Sequence, residues 1–430
     1  MFLLVLRVSL LATPNMTDKR LLALIIVGLA FYFGLAILVA VNNLPVDFYG
    51  YLIAAYGFSH GVNVYAAPES MYQQIGEALG ITEHGGPYYY PLLTAGIVWP
   101  LLELPLHSGA ALWVFGSGVS ALAAAVILGR RVDRPWKRHL ILLAAIGYVP
   151  ILSTLRYGNV NALVLLATSM AIYAWRQYRE RLGGAFLAVG LFLKPLPFAL
   201  VGLMIWRLRL RTLAWLLLTS LAITAFAIWA VGVQPALMQF SASLGARNLQ
   251  ELNADPDNQN LNGLLARLLT PGITTEYSSV VSSQPLINAP QIAIPLYWAL
   301  GLAWVAISLA LLWPIGAKAR LIECEAALVI STTHLVFPLT SYYHLAMLLI
   351  PMAVLIESWH GPSWDVIALI VAYFLIDLQA LFLALFSGRF IAFSLLMGNS
   401  QSNLSYGIGF LGEAIIWVLL AHLVRKTQAI

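Results

Sequence analysis

The stretch RLLALIIVGLAFYFGLAILVAV, residues 20–41, decides the fold. After Arg20 it runs to Val41 without a single charge, and it follows Lys19 directly. About 20 apolar residues are what an α-helix needs to cross a bilayer's hydrocarbon core. Backbone groups cannot stay unpaired in lipid, so a segment of this length and composition crosses as a helix. Eleven more apolar segments lie downstream, at roughly 91–105, 108–129, 139–155, 158–175, 183–205, 211–232, 292–314, 322–337, 341–357, 364–386 and 405–424. Most are too long for the ~10-residue strands of a membrane barrel.

Composition agrees. Of 430 residues, 61% are hydrophobic and 10% charged, with a mean hydropathy of +0.84. A soluble domain carries about 25% charged residues. The expectation is an all-α polytopic membrane protein of about twelve transmembrane or re-entrant helices, in a single domain over 1–430. Two polar stretches, 42–90 and 233–291, interrupt the apolar pattern and contain short amphipathic pieces.

The net charge of +5 sits in short loops between apolar runs, so it argues for cytoplasmic loops rather than for a nucleic-acid partner. Cys324 is the sole cysteine, which excludes an intramolecular disulfide and a thiolate metal cluster. No metal and no cofactor are expected. Residues 1–15 read as a dispensable tail or a mis-assigned start, because Met16-Thr-Asp-Lys-Arg20 before a long apolar run looks like a natural beginning.

Lys19 and Arg20 place the N-terminus in the cytoplasm. No Lys or Arg then occurs until Arg130, so 42–90 is read as extracytoplasmic. Arg207, Arg209 and Arg211 are read as inside, 233–291 as outside, and Arg425 and Lys426 place the C-terminus inside. If all twelve segments cross, the basic runs Arg130–Arg138 and Arg176–Arg181 fall outside. Keeping them inside requires two segments that do not cross. The candidates are 91–105, which is short, and 183–205, which Lys194-Pro195 would break.

Several polar residues sit oddly for such a chain. Asp47 lies a few residues beyond the first helix with no Lys or Arg near it in sequence. It is either a helix cap, an idle exposed carboxylate, or a functional acid or base. Lys194 is flanked by apolar residues. A lysine inside a membrane segment costs ~3 kcal/mol on insertion scales, so it either snorkels to an interface or meets an anionic ligand such as a lipid phosphate. Arg156 in Arg156-Tyr-Gly-Asn159-Val-Asn161 is a snorkelling cation or a phosphate fork. Asn258-Gln-Asn-Leu-Asn262 before Arg267 reads as a helix cap or a sugar and phosphate site. Gly86-Pro-Tyr-Tyr-Tyr-Pro91 reads as interfacial aromatics. His344 follows Ser341-Tyr-Tyr with no metal-ligand spacing around it.

In order along the chain these segments resemble glycosyltransferase family 87, the polyprenol-phosphate-mannose-dependent mannosyltransferases of the GT-C superfamily. Pro45-Val-Asp47-Phe-Tyr-Gly-Tyr51-Leu-Ile-Ala-Ala55 resembles the family's P-x-D-F-x-x-Y-x-A-A segment, and Asn63-Val-Tyr65 its d-x-Y element. Pro87-Tyr-Tyr-Tyr90-Pro-Leu resembles P-[FY]-x-Y-P-P, with Leu92 at the second proline. Tyr157-Gly-Asn159-Val-Asn161 is similar to G-Q-x-N, with Asn159 in place of Gln. Leu193-Lys194-Pro195 resembles the K-x-x-P region, with its proline spacing changed. Asn258-Gln-Asn-Leu-Asn-Gly263-Leu-Leu-Ala-Arg267 resembles N-Q-S-L-x-G-x-x-x-R. Pro338-Leu-Thr-Ser-Tyr-Tyr-His344 resembles S-P-x-S-W-x-H-H with one histidine kept.

The resemblance implies a GT-C-type helical bundle with short amphipathic helices in its outer loops. It implies transfer of a hexose, mannose first, from a polyprenyl-phosphate donor to a hydroxyl of a glycan or glycolipid acceptor. Transfer would invert the anomeric centre at the outer face of the inner or plasma membrane. Asp47 is implied as general base, with His344 assisting or replacing it. Lys194, Arg267 and Arg156 are implied as donor-phosphate ligands. Tyr51, Tyr88, Tyr90, Asn258, Gln259, Asn262 and Tyr342 are implied as sugar or acceptor contacts. A transporter or flippase, or a polymerase or ligase of lipid-linked sugars, is the rival reading. The former should show an internal repeat or charges deep in several helices, where only Lys194 and Asp377 qualify; the latter should rely on arginines in a large outer loop.

Overall fold

A computed structural model of the chain describes residues 19–81, 88–130, 132–245, 252–253, 258–271, 285–313, 322–338, 340–359, 364–386 and 407–428. The expectation for residues 1–15 lies outside them. The described residues fold as helices joined by turns, with one isolated bridge between Asn258 and Ser341 and no strand. The chain is an all-α, multi-pass membrane protein.

Five helices among the described residues are long and apolar enough to cross a bilayer: Lys19–Val41, Leu106–Gly129, Leu210–Val231, Pro290–Leu311 and Ile408–Thr427. A sixth is added if the bent pair Pro135–Gly147 and Val149–Tyr157 counts as one span. This is fewer than the twelve apolar segments of the sequence, because several segments form short or broken helices. The segment at 91–105 becomes Leu92–Val98 followed by the 3₁₀ turn Trp99–Glu103. The segment at 183–205 breaks into Glu180–Leu193 and Ala199–Trp206. Its break lies at Lys194, whose extended backbone (φ −163°, ψ 131°) is what a residue before proline adopts. The segment at 139–155 breaks just before Pro150, whose ring cannot continue a helix begun upstream.

The chain divides into two compact units. The first comprises Met1–Gly147, Thr154–Phe198 and Arg209–Ala246. In it Lys19–Val41 packs on Leu106–Gly129, and the Tyr32 hydroxyl donates to Ala145 O at 2.8 Å. Glu180–Leu193 lies against Leu210–Val231 so closely that a Cβ on Gly184 would fall 2.2 Å from Thr212 O. Small residues at such a crossing let two membrane helices approach backbone to backbone. Three short helices, Val46–Ser59, Glu69–Ala78 and Leu92–Val98, fill the first polar stretch and the start of the next apolar segment.

The second unit comprises Tyr148–Ser153, Ala199–Leu208 and Arg247–Ile430. Its helices Trp364–Phe386 and Ile322–Val336 both pack on Ile408–Gln428. Trp417 donates Nε1–H to Ser308 Oγ at 3.1 Å and to Thr332 Oγ1 at 3.0 Å, tying three helices through one indole. Arg207 and Glu325, both buried, form a two-pronged ion pair at 2.9 and 2.6 Å, and Arg207 Nη2 also donates to Leu312 O at 2.9 Å. The short helix Leu261–Leu269 is capped by Asn260, whose Oδ1 accepts from Gly263 N–H at 2.9 Å.

Candidate active site

Asp47 lies not in a loop but at the second residue of the helix Val46–Ser59. Pro45 precedes the helix and starts the chain turning, and a carboxylate in a first helical turn is favoured by the helix dipole. The sequence suggests short amphipathic pieces within 42–90. The structure instead buries this helix nearly all round, from Phe48 to Phe58, as expected of a helix apolar on every face. Asp47 itself is half-buried: densely surrounded by protein but not sealed from outside.

A second strand of chain reaches it at Gly158-Asn159. Gly158 adopts φ +66°, and a Cβ there would fall 2.8 Å from both Pro45 Cβ and Phe48 Cβ. Only glycine combines that backbone with that approach. Trp113 stacks on Phe48 at 5.8 Å and donates Nε1–H to Gly158 O at 2.7 Å, which clamps the turn onto the helix start. Asn159 N–H bonds back to Thr154 O at 2.9 Å.

The fully buried Asn159 is thereby brought to the carboxylate. Its Nδ2 donates to Asp47 Oδ2 at 2.6 Å and to the Tyr90 hydroxyl at 2.9 Å. Its Oδ1 accepts from Lys194 Nζ at 3.3 Å and from Asn161 N–H at 3.1 Å. An ammonium only donates, so the atom it meets must be the amide oxygen, and the orientation of the amide is settled by its partners.

Lys194 is 5% exposed and does not snorkel. The helix end at Leu193 lets its side chain turn inward, and Thr94 Oγ1 donates to the Leu193 carbonyl at 2.8 Å. Its ammonium also lies 5.1 Å from the centre of the Tyr90 ring, a cation–π distance. Burial pushes the Asp47 carboxyl above the usual carboxylate range; the Asn159 hydrogen bond and the Lys194 charge pull it partly back.

The predicted tyrosines gather around the same point. Tyr51 and Tyr90 meet edge to face at 4.8 Å, and Tyr51 and Tyr88 at 6.3 Å. The Tyr51 hydroxyl accepts from Val160 N–H at 3.3 Å. Burial first, and the neighbouring Tyr90 and Asp47 next, hold the Tyr51 phenol well above its ordinary range. It is a hydrogen-bonding group here, not a base. The Tyr88 hydroxyl is used structurally: it donates to Pro91 O at 2.8 Å and accepts from Ala95 N–H at 3.1 Å, holding the start of Leu92–Val98. Arg156 is half-buried with its guanidinium 5.6 Å from the Tyr157 ring.

The remaining candidates belong to the second unit. Asn258 donates Nδ2–H to Asn253 O and Pro338 O, both at 3.1 Å, and accepts on Oδ1 from Thr340 N–H at 2.9 Å. Gln259 N–H bonds to Thr340 O at 2.9 Å. Asn262 Oδ1 accepts from Asn253 N–H at 2.8 Å, and the buried Arg267 donates Nη1–H to Asn258 O at 3.0 Å. These groups pin the segment before Leu261–Leu269 to the one before Tyr342–Leu348. Tyr342 and His344 are buried in that 3₁₀ turn, and Ser341 N–H donates to His344 Nδ1 at 3.0 Å. Among the described residues no three His, Cys, Asp or Glu side chains converge as metal ligands do.

Asn159 is the group that sequence reasoning left out of the site, although its motif was singled out. The available signal was Gly158, a residue that permits a tight turn and a close backbone approach.

Fold and cluster define an all-helical integral membrane protein that holds a carboxylate and an ammonium around one buried amide. The family model for glycosyltransferase family 87 matches residues 88–341, more than half of the chain, and the chain belongs to that family. Asn159, Lys194 and the Asn258–Arg267 segment lie within the matched residues; Asp47 and His344 lie outside them. A polyprenol-phosphate-mannose-dependent alpha-(1-2)-phosphatidylinositol pentamannoside mannosyltransferase of Mycobacterium tuberculosis (strain CDC 1551 / Oshkosh) is 28% identical over 189 residues. That match spans 43% of this chain and 43% of the relative's length. Among solved structures, ArnT from Cupriavidus metallidurans bound to undecaprenyl phosphate superposes with a TM-score of 0.48 at 14% identity, over 96% of this chain and 79% of that one.

Proposed function

We propose that this glycosyltransferase moves a hexose, mannose in the first instance, from a polyprenyl-phosphate donor to an acceptor hydroxyl with inversion. The observation that carries this reading is the Asp47–Asn159–Lys194 cluster, which puts a carboxylate and an ammonium on opposite sides of one amide. The mannosyltransferase relative supports the choice of donor.

Asp47 takes the proton of the acceptor hydroxyl. The acceptor oxygen forms a bond to the anomeric carbon as the bond from that carbon to the phosphate oxygen breaks. The lipid phosphate leaves as a monoester, its new charge met by Lys194, and the proton on Asp47 passes to water. Attack opposite the leaving group turns a β-linked donor into an α-linked product. A carboxylate raised above its ordinary range is a better base near neutral pH.

Asp47, rather than His344, is assigned as base. Ser341 N–H donates into His344 Nδ1, so that nitrogen's lone pair is occupied and the neutral ring carries its proton on Nε2. Such a ring offers a donor. The first polar stretch, and Asp47 with it, is assigned to the extracytoplasmic side of the plasma membrane, with both termini in the cytoplasm.

The test is transfer by the purified protein from synthetic polyprenyl-phosphate-mannose to a panel of glycolipid and glycan acceptors. Product with inverted anomeric configuration is expected. A protein that binds the donor lipid but forms no new glycosidic bond with any acceptor would sink the reading.

A further inference from the structure

Asn159 uses everything an amide has. Its two N–H bonds go to Asp47 and Tyr90, and its two oxygen lone pairs to Lys194 and Asn161 N–H. It is 0% exposed, and the Gly158 turn that carries it is clamped by Trp113. The amide thus presents its positive end to the carboxylate and its negative end to the ammonium. It donates to Oδ2 of Asp47, which leaves Oδ1 to take a proton.

We infer that Asn159 is a positioning residue that selects the reacting oxygen of Asp47 and keeps base and ammonium as two separate groups. The inference rests on the transferase reading above. Without the interposed amide, a carboxylate and an ammonium this close collapse into a direct, charge-assisted pair. The carboxylate would then be a weaker base, and the ammonium would be withdrawn from the departing phosphate.

The titratable groups that act on Asp47 among the described residues are Lys194, Tyr51 on its own helix, Tyr72 from Glu69–Ala78, and Tyr90, which is reached through the shared amide. Burial holds the Tyr51 and Tyr72 phenols above their ordinary range and hence neutral, so Lys194 is the charge that responds when Asn159 is changed.

The experiment measures kcat and KM against pH for the full chain in detergent or nanodiscs, with polyprenyl-phosphate-mannose as donor. In Asn159→Ala, kcat is expected to fall by about tenfold or more, a share of the 10²–10⁴-fold that a general base supplies. The acidic limb of its pH profile is expected to move to lower pH, because a direct contact with Lys194 outweighs the lost neutral hydrogen bond. Asn159→Asp nearly preserves shape but adds a carboxylate beside Asp47, and should move that limb to higher pH. Asn159→Gln, which keeps the amide, should restore the wild-type limb. A merely structural amide would lower the amount of active protein in all three and leave the limb in place. An unmoved limb in both Asn159→Ala and Asn159→Asp, with Asp47→Asn inactive, overturns this inference and leaves the transferase reading standing. An inactive wild type, or a fully active Asp47→Asn, overturns that reading and this inference with it.

Discussion

Asp47 and Lys194 reach one amide from opposite sides: Asn159 donates to the Asp47 carboxylate at 2.6 Å and accepts from the Lys194 ammonium at 3.3 Å. The two lie far apart in sequence, the carboxylate in the first turn of Val46–Ser59 and the ammonium at the break that follows Glu180–Leu193. The first consequence concerns the base. Asp47→Asn removes the proton acceptor but keeps an oxygen for Asn159 to donate to, so the fold should survive. Transfer is expected to fall by about 10²–10⁴-fold, measured as kcat on protein that elutes and melts as wild type does.

The pH profile carries the sign of the environment. As the proposed base Asp47 must be a carboxylate, and burial raises the pH at which that carboxylate takes up a proton. Activity should therefore be lost as pH falls through this raised value, and the acidic limb of kcat/KM should lie above that of an ordinary aspartate. A limb at or below the ordinary aspartate range would show that the Asn159 hydrogen bond and the Lys194 charge outweigh burial.

Lys194→Ala tests the other side of the amide. A hydrogen bond to a charged group is worth about 1.5–3 kcal/mol, so kcat/KM for the donor should fall by roughly 10- to 100-fold. Competition by free polyprenyl phosphate should weaken in parallel, which a binding titration reads directly. Unchanged competition would remove Lys194 from the donor site.

The membrane class and most helix positions were legible in the sequence, because uncharged runs of twenty residues leave a bilayer no alternative. The break at Lys194-Pro195 was legible because proline acts locally, and 91–105 stood out because it is short. The expectation that Asp47, Lys194, Tyr51, Tyr88 and Tyr90 share a site came from motif order. Their joint contact did not, because Asn159 lies 112 residues from Asp47 and 35 from Lys194. Such contacts depend on how the helices pack, and only the glycine before Asn159 hinted at it. The Asn258–Arg267 segment was ambiguous between cap and ligand, since amides serve both uses. The structure shows these side chains bonded to the backbone of 253 and of 338–340, and Asn260 as the cap.

Gly158→Ala tests the close approach that builds the site. A non-glycine residue at φ +66° costs ~1–3 kcal/mol, and its Cβ would meet Pro45 and Phe48 at 2.8 Å. A lower melting temperature is expected together with a loss of transfer, because the turn cannot retreat without carrying Asn159 from Asp47. Wild-type activity in a destabilised Gly158→Ala protein would separate the turn from the chemistry.

The last prediction concerns the second unit. Arg207 and Glu325 are paired where neither is solvated, so Arg207→Met strands a buried carboxylate. Breaking such a pair costs roughly 3–5 kcal/mol, whereas replacing both partners with apolar groups is often neutral. Arg207→Met should therefore melt well below wild type. Adding Glu325→Leu should recover much of the loss, but not all, because Leu312 O still lacks the donor that Arg207 Nη2 supplied at 2.9 Å. Thermal unfolding of the two variants in one detergent checks this. A double variant less stable than Arg207→Met alone would mean that the pair contributes more than the desolvation it requires.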